Sequence, residues 1–375
     1  MEKVIVLGSG LVGKAISIDL SKNYDVTTVD LNADNLKRLK THPSIKAIQM
    51  DLSNPKSIRE LIHDCDLVIG ALPSAMGFQT IKTVIDAGKN IVDISFLPED
   101  PFQLDELAKE KKVTAIVDCG VAPGMSNMIL GYHNQKMKIE KFDCMVGGLP
   151  AVPAWPYKYK APFSPIDVLE EYTRPARIIE NGRIVVKPAL SDLELIEFDQ
   201  VGFLEVFNTD GLRTLLTTMK IPFMRERTLR YPGHAELIKI LSESGFLSKV
   251  PINIKGQKIA PIDLTAKLLF PKWKLAEDEE EFTVMRIELE GLENGLKKKV
   301  VYNLLDRYDE PTGTSSMART TGYTCTAAAN LVLNGDYIRK GISPPEYLGE
   351  DEKCFGLVMK YLASRGVEYK QGIQE

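Results

Sequence analysis

Between residues 3 and 120 the chain repeats one arrangement, a short apolar run followed by an amphipathic segment of helical spacing. The apolar runs are KVIVLG, DVTTVD, IKAIQMD, DLVIGAL, NIVDIS and VTAIVDCG. Between them lie LVGKAISIDLS, ADNLKRLK, NPKSIRELI, FQTIKTVIDAG and PFQLDELAKEK. Asn54 caps the third helix, Pro55 opens it, and Gly88 closes the fourth. Strands separated by whole helices cannot pair as hairpins. The pattern therefore predicts an α/β fold, a parallel, doubly wound sheet with helices on both faces.

The first strand runs into GSGLVG. Its Gly8, Gly10 and Gly13, with Ser9, Leu11 and Val12 between them, fit GxGxxG, and Asp30 ends the next strand. Between a strand and a helix this is the dinucleotide-binding loop of a Rossmann domain. Gly8 allows the tight turn, Gly10 lets backbone approach a pyrophosphate, and Gly13 lets helix and sheet pack closely. Asp30 suits two ribose hydroxyls and repels a 2′-phosphate, and the following Leu31 and Asn32 supply no arginine. The expected cofactor is NAD rather than NADP. Lys37 and Arg38, in the next helix, read as solvent-facing. Asp51, after the third strand, is either an adenine contact or a helix-capping carboxylate.

Ligands of such sheets bind beyond the carboxyl ends of the strands. Those ends hold Gly70-Ala71-Leu72-Pro73-Ser74, Asp93-Ile94-Ser95-Phe96 and Cys119-Gly120-Val121. Leu72, Pro73, Ser74, Gly120 and Val121 are expected along the cofactor. Past the sixth strand, VDCGVAPGMSNM sets Ser126 and Asn127 at a helix start. An open start there offers N–H donors to the cofactor amide or to a substrate carboxylate. The alternative is that Pro123-Gly124 is only a turn.

At 375 residues the chain is too long for one ordinary core, which predicts two domains. After about residue 140 the rhythm changes to mixed α+β. A stretch rich in proline and aromatics, PAVPAWPYKYKAPFS, is followed by a helix, SPIDVLEEY, and a hairpin turning at Asn181-Gly182. Two long strands surround a turn in EFTVMRIELEGLENGLKKKVVYNLLDRYD, and TSSMARTTGYTCTAAANLVLNG reads as a small-residue helix. A net charge of −4 gives no basic field for nucleic acid. No apolar run is long enough for a membrane span, and the N-terminus has no signal-peptide pattern. Five scattered cysteines without CxxC fit a reducing, cytoplasmic setting, and four scattered histidines offer no metal-ligand spacing.

The motifs GSGLVG, ALPS, DISF, CGVAPGMSN, GGLP followed by YKYKAPFS, FNTDGLRTL, TLRYPGH and MARTTGY span nearly the whole chain. In them the chain resembles the saccharopine dehydrogenase (reductase) family and, within it, the lysine 6-dehydrogenase branch. The resemblance implies a Rossmann domain of residues 1–125 and 315–375. Between these segments it implies an inserted mixed-sheet α+β domain, residues 126–314, for substrate and dimerisation. It implies NAD-dependent oxidative deamination of the lysine ε-amine to 2-aminoadipate 6-semialdehyde, which cyclises, with release of ammonia. The alternatives are an imine-reducing enzyme of the saccharopine or carboxynorspermidine type, or a non-catalytic dinucleotide sensor.

By the same resemblance Ser95 and Phe96 would hold substrate, with Thr228, Leu229 and Arg230 contributing. A family arginine that grips a substrate carboxylate aligns with Thr209, and Arg213 is the possible substitute. Such a reaction needs a carboxylate anchor, an apolar sleeve and a proton acceptor. Arg230 suits the anchor, because a guanidinium matches a carboxylate bidentately, unless it forms a structural ion pair. Trp155, Tyr157 and Tyr159 are sleeve candidates or plain packing. The base is left open among His234, Lys158 and Asp93, and Asp210 either pairs with the α-ammonium or sits in a turn. The sheet face at 282–305 is expected to serve a homodimer.

Overall fold

A computed structural model describes residues 1–162, 165–276 and 279–374. The end of the YKYKAPFS motif, residues 163–164, lies outside the described residues. The chain divides into two compact units, Met1–Lys138 with Met317–Tyr369 and Ile139–Ser316 with Lys370–Glu375.

The first unit opens with β1 (Lys3–Leu7), α1 (Leu11–Leu20), β2 (Asp25–Asp30), α2 (Ala33–Lys37), β3 (Ile45–Gln49) and α3 (Pro55–Leu61). It continues with β4 (Leu67–Gly70), α4 (Ser74–Asp86), β5 (Asn90–Asp93), α5 (Asp105–Glu110), β6 (Thr114–Ile116) and α6 (Met125–Asn134). Asn54 caps α3 through Lys56 N–H, as expected. Val4, Val6, Leu7, Val68, Ile69, Ile91 and Val92 are buried, because a parallel sheet is covered on both faces.

The second unit holds β7 (Lys138–Pro150), α7 (Pro165–Thr173), β8 (Ala176–Glu180), β9 (Arg183–Lys187), β10 (Glu194–Phe198), β11 (Gly202–Thr209) and α8 (Leu215–Thr218). Then come β12 (Phe223–Arg230), α9 (His234–Glu243), β13 (Ile252–Ile254), β14 (Gln257–Ile259), α10 (Pro261–Trp273), β15 (Glu281–Glu293) and β16 (Leu296–Arg307). The chain returns to the first unit through α11 (Ser316–Leu333), β17 (Gly341–Ser343), α12 (Pro345–Glu350) and α13 (Glu352–Ala363), and ends in β18 (Lys370–Gln374).

The first sheet runs β17-β6-β5-β4-β1-β2-β3. The six expected strands are all present and parallel. β17 adds a seventh, parallel to β6, beyond the six strands expected from the sequence. The second sheet runs β10-β11-β12-β7-β15-β16-β18, with the β8–β9 hairpin beside β12. It is mixed, because β12 and β7 are parallel while β11–β12 and β15–β16 are antiparallel. Both expected hairpin turns form on left-handed residues, Asn181-Gly182 and Asn294-Gly295. The long strands carry charged ladders, with Lys299 bonded to Glu288 at 2.9 Å and Lys141 to Glu290 at 3.1 Å. Among the described residues no helix is long and apolar enough to cross a membrane.

The returning helices close on α1 through one buried carboxylate. Asp19 is 1% exposed. It accepts from Arg365 Nε at 2.8 Å, Tyr361 Oη at 2.7 Å, Thr326 Oγ1 at 2.9 Å and Lys22 Nζ at 3.1 Å. Burial alone would raise its pKa, but the bonds from Arg365 and Tyr361 and the Arg365 charge bring it below the ordinary value. A carboxyl with a lower pKa folded than unfolded contributes stability that is full above the unfolded pKa and is lost as pH falls through the folded one. We expect Asp19→Asn to destabilise the protein by about 3 kcal/mol at pH 7, leaving Arg365 without its partner. The gap from the unmutated protein should narrow below about pH 4. Urea midpoints across pH check this, and a constant gap would show that the charge of Asp19 is not what matters.

Candidate active site

At the glycine loop, Gly8 has φ +104, and a Cβ there would overlap the Ala71 carbonyl oxygen. A Cβ on Gly13 would overlap the Gly8 carbonyl, which is how α1 comes so close to β1. A Cβ on Gly10 would meet nothing within 4 Å, so its Cα faces open space. Gly10 caps α1 without any side-chain oxygen, leaving the first-turn N–H groups to a ligand or solvent. Ser9, Leu11 and Val12 complete the loop, and Asp30 braces it by accepting from Ser9 N–H at 2.7 Å. Asp30 also accepts from Asn32 N–H at 2.7 Å and Asn35 Nδ2 at 3.2 Å. Lys37 is exposed and pairs with Asp34 at 2.7 Å. These residues fit a dinucleotide, with open space at the middle glycine, an uncapped helix start and a carboxylate at the end of β2.

Asp51 is exposed and accepts from Ser53 N–H at 2.9 Å, a local turn bond. Leu72 and Ser74 are half-buried and Pro73 exposed beyond β4. Gly120 and Val121 are buried in the turn after β6. The expectation of an open helix start at α6 is not met. Met125 N–H donates to the Gly120 carbonyl at 3.0 Å and Ser126 N–H to Val121 at 3.3 Å. Ser126 and Asn127 are fully buried, and Asn127 Nδ2 donates to Glu346 at 3.0 Å. This segment is a packing joint with α12, a partner that no local spacing announces.

The ends of β5 and β6 carry polar groups in a dry place. Asp93 is 1% and Ser95 4% exposed, and Phe96 is half-buried. Asp93 Oδ1 accepts from Ser95 N–H at 2.7 Å, while its Oδ2 has no hydrogen-bond partner. Burial, with the nearby Asp118 charge, raises its pKa to about 7.

In the second unit the expected polar residues do come together, but around one another. Arg230 is 2% exposed. It donates from Nε to Tyr172 Oη at 2.9 Å, from one terminal nitrogen to the Leu229 carbonyl at 2.9 Å, and from the other to Glu171 at 2.7 Å. Its guanidinium lies 4.4 Å from the Tyr159 ring centre. His234 is fully buried between Tyr172 Oη and the Tyr157 carbonyl, each at 2.8 Å. The carbonyl can only accept, so Nδ1 carries the proton and Nε2 accepts from Tyr172. Burial and the Arg230 charge lower its pKa to about 3. His234 is thus neutral with both nitrogens occupied, and the reading of it as base is corrected.

The reading of Arg230 as an open anchor is corrected likewise, because Glu171 already neutralises it. Asp210 is gripped bidentately by Arg177, both bonds 2.8 Å, so it is not open to an α-ammonium. Thr209 and Thr228 bond to each other at 3.0 Å, and Arg213 is 8% exposed with φ +52. Lys158 is exposed and donates to the Pro232 carbonyl at 2.9 Å. Tyr157 and Tyr159 stand edge-on against Trp273, whereas Trp155 is 87% exposed. Among the described residues no group of His, Cys, Asp and Glu gathers as metal ligands do.

Residues 4–116 match the saccharopine dehydrogenase NADP binding domain, and residues 120–367 the saccharopine dehydrogenase C-terminal domain. The chain belongs to the saccharopine dehydrogenase family. It is 22% identical to the saccharopine dehydrogenase [NADP(+), L-glutamate-forming] of Schizosaccharomyces pombe, covering 100% of this chain and 99% of that one. It is 21% identical to the carboxyaminopropylagmatine dehydrogenase of Synechocystis, over 94% of each. A mitochondrial alpha-aminoadipic semialdehyde synthase of Rattus norvegicus is 21% identical, and the chain spans about half, 47%, of its length. Apo saccharopine dehydrogenase (L-Glu forming) from Saccharomyces cerevisiae has the same fold, with TM-score 0.81, 20% identity and full coverage of both chains. The two relatives matched over nearly their whole length are both named as dehydrogenases.

The Arg230 cluster yields a stability expectation. Glu171→Gln leaves a buried guanidinium uncompensated. We expect a loss of about 3 kcal/mol, the low end for a broken buried pair, since 27% of the Glu171 side chain is exposed. Dinucleotide affinity should stay unchanged. Denaturant midpoints and cofactor titration check this. Undiminished stability with lost amine turnover would restore Arg230 as a substrate anchor.

Proposed function

We propose that the chain is an NAD-dependent dehydrogenase that oxidises the ε-amine of L-lysine, with loss of ammonia, to 2-aminoadipate 6-semialdehyde. The observation that carries the substrate is the pairing of four arginines of the second unit, of which Arg227 and Arg230 are buried, Arg225 is half-buried and Arg177 is exposed. Arg230 is paired with Glu171, Arg177 with Asp210, and both Arg225 and Arg227 with Asp143. A substrate with several carboxylates needs open guanidiniums, and these four are neutralised by the protein's own acids. An amine with one carboxylate makes the smaller demand. Asp30, without an arginine bonded to it, supports NAD, although the family domain and the fission-yeast relative carry NADP in their names.

A dinucleotide held at the Gly8–Gly13 loop and Asp30 would supply the hydride acceptor for the carbon bearing the amine. The protein then has to hold the amine and take its proton. His234 is neutral and enclosed and Lys158 is bonded to a carbonyl, which leaves Asp93, beside Ser95, as the proton acceptor. Ser95 and Phe96 are proposed for substrate contact. A homodimer in the cytoplasm completes the proposal. The second reading is an imine-reducing dehydrogenase of the saccharopine or carboxyaminopropylagmatine kind, favoured by near full-length similarity to relatives so named.

NADH formation with a panel of amino acids and polyamines, run beside the reverse reaction of the semialdehyde with ammonia or glutamate, separates the two. Lysine turnover without glutamate dependence is expected, and activity confined to the glutamate conjugate sinks the first reading. NAD should bind more tightly than NADP. Asp30→Ala should weaken NAD by about tenfold to a hundredfold, the loss of charge-assisted hydrogen bonds of about 1.5–3 kcal/mol, and should narrow the gap. Equal or tighter NADP binding by the unmutated protein, read by fluorescence titration, removes the cofactor assignment.

A further inference from the structure

Arg307, the last residue of β16, differs from the four arginines paired above. It is exposed, and among the described residues its guanidinium is bonded to no acid. In the β15–β16 register it faces Phe282, and its guanidinium lies 5.8 Å from the centre of that ring. Contact with a ring uses none of the N–H donors of the guanidinium fork. Arg307 lines a cavity of about 320 Å³, the size of a site for a small molecule. Ala151, Glu280, Glu281, Tyr308, Asp309 and Glu310 share the wall with it, and all of them belong to the second unit.

The wall is held by backbone. Ala151 N–H donates to the Glu280 carbonyl and Tyr308 N–H to the Glu281 carbonyl, each at 2.9 Å. Asp309 N–H donates to Thr314 at 2.9 Å and Thr314 N–H returns the bond at 3.2 Å, which folds the rim back on itself. The Thr312 hydroxyl donates to the Asp309 carboxylate. Behind Phe282, Tyr231 of the TLRYPGH motif stands edge-on at 6.4 Å, and its hydroxyl donates to the carbonyl of Pro150, the end of GGLP, at 2.9 Å. A lining fixed in this way adds little ordering cost to binding. Its charges select. Four acids stand against one arginine, so a ligand with carboxylates alone is repelled, and a ligand with ammonium groups alone leaves Arg307 unanswered. Glu280 and Glu310 are exposed, and among the described residues neither carboxylate is bonded to a cation of the protein.

We propose that this cavity takes the head group of a basic α-amino acid, with Arg307 on the carboxylate and Glu280 and Glu310 on the α-ammonium. The inference rests on the amine-oxidising reading above and names the carboxylate anchor that this reading lacks, since Arg230 and Arg177 are occupied by Glu171 and Asp210. The planar fork of Arg307 meets both oxygens of one carboxylate with parallel N–H bonds. The ammonium hydrogens go to the two glutamates, and Glu281, 1% exposed, adds its oxygens to the wall. A second carboxylate on the ligand would stand among these acids, which sets the site against a glutamate conjugate.

Calorimetric titration of the full chain with L-lysine, cadaverine and 6-aminohexanoate, with NADH and without it, tests the site. Cadaverine lacks the carboxylate and 6-aminohexanoate the α-ammonium, so each should bind at least about tenfold more weakly than lysine. Arg307→Ala should weaken lysine and 6-aminohexanoate by about tenfold to a hundredfold and leave cadaverine unchanged. Arg307→Lys should recover part of the loss, because a point charge does not reproduce the fork. Glu280→Gln combined with Glu310→Gln should weaken lysine and cadaverine and spare 6-aminohexanoate. Arg307 is exposed, so its variants should keep the urea midpoint and the dinucleotide affinity of the unmutated chain. Lysine that does not bind under either condition, or an Arg307→Ala loss that falls equally on lysine and cadaverine, overturns the site. Binding is read without turnover, so the two failures separate. If the three ligands sort as stated but no amine is oxidised, the functional reading fails and the site stands. If lysine is oxidised and Arg307→Ala leaves its KM unchanged, the site fails and the functional reading stands.

Discussion

Across the carboxyl rim of the parallel sheet, the distance between neighbouring backbones is set by side chains that are missing. α1 can lie against β1 only because Gly13 meets the Gly8 carbonyl with no Cβ between them. Gly8 meets the Ala71 carbonyl beyond β4 in the same way, and Gly70 admits the Asp93 carboxyl from β5. The contacts form a row from α1 through β1 and β4 to β5. A methyl group at any of them would push a strand end outward, and the misfit would pass to the next contact. The loop geometry that suits a pyrophosphate and the dry position of Asp93 thus share one cause.

The second unit solves a different problem, that of burying cations. Arg227 is 2% exposed and is matched by Asp143 on β7 and by Glu194 on β10, so one guanidinium ties together strands that are not neighbours. Arg230 is enclosed by Glu171, Tyr159 and Tyr172, and the hydrogen-bond chain continues through His234 to the Tyr157 carbonyl. Each member satisfies the next. Glu205 serves the same region from β11 by accepting from Gly233 and Ala235 N–H at the start of α9. Such networks cost little while complete and much when one member is removed.

The parallel sheet was legible because its signals are local. A strand period, a helix period, an N-cap and a glycine loop lie within a few residues of one another, and β1 to β6 follow from them. β17 was not legible, since three residues, GIS, pair with a strand more than two hundred positions earlier. The candidate site divides in the same way. The residues of GSGLVG and Asp30 are placed by the motif itself. The employment of Arg230, His234 and Asp210 depends on Glu171, Tyr172 and Arg177, which carry no spacing signal toward them. From sequence a buried arginine that binds a ligand and one that binds a glutamate look alike. The resemblance to a family told which residues stand near one another, and only the geometry told which are already spoken for.

The crossing of the chain between the two units sets an order of events during synthesis. β6 leaves the ribosome with an unpaired edge, and the strand that covers it, β17, follows only after every residue from 139 to 316 has been made. Until then Thr114, Ala115 and Ile116 present an apolar, hydrogen-bonding edge of the kind that recruits foreign strands. The second unit is left incomplete for longer still, because β18, which pairs with β16, comes from residues 370–374. A nascent chain halted near residue 330 would therefore carry two unfinished sheets at once, and would call on a holding chaperone in a way that the finished protein does not.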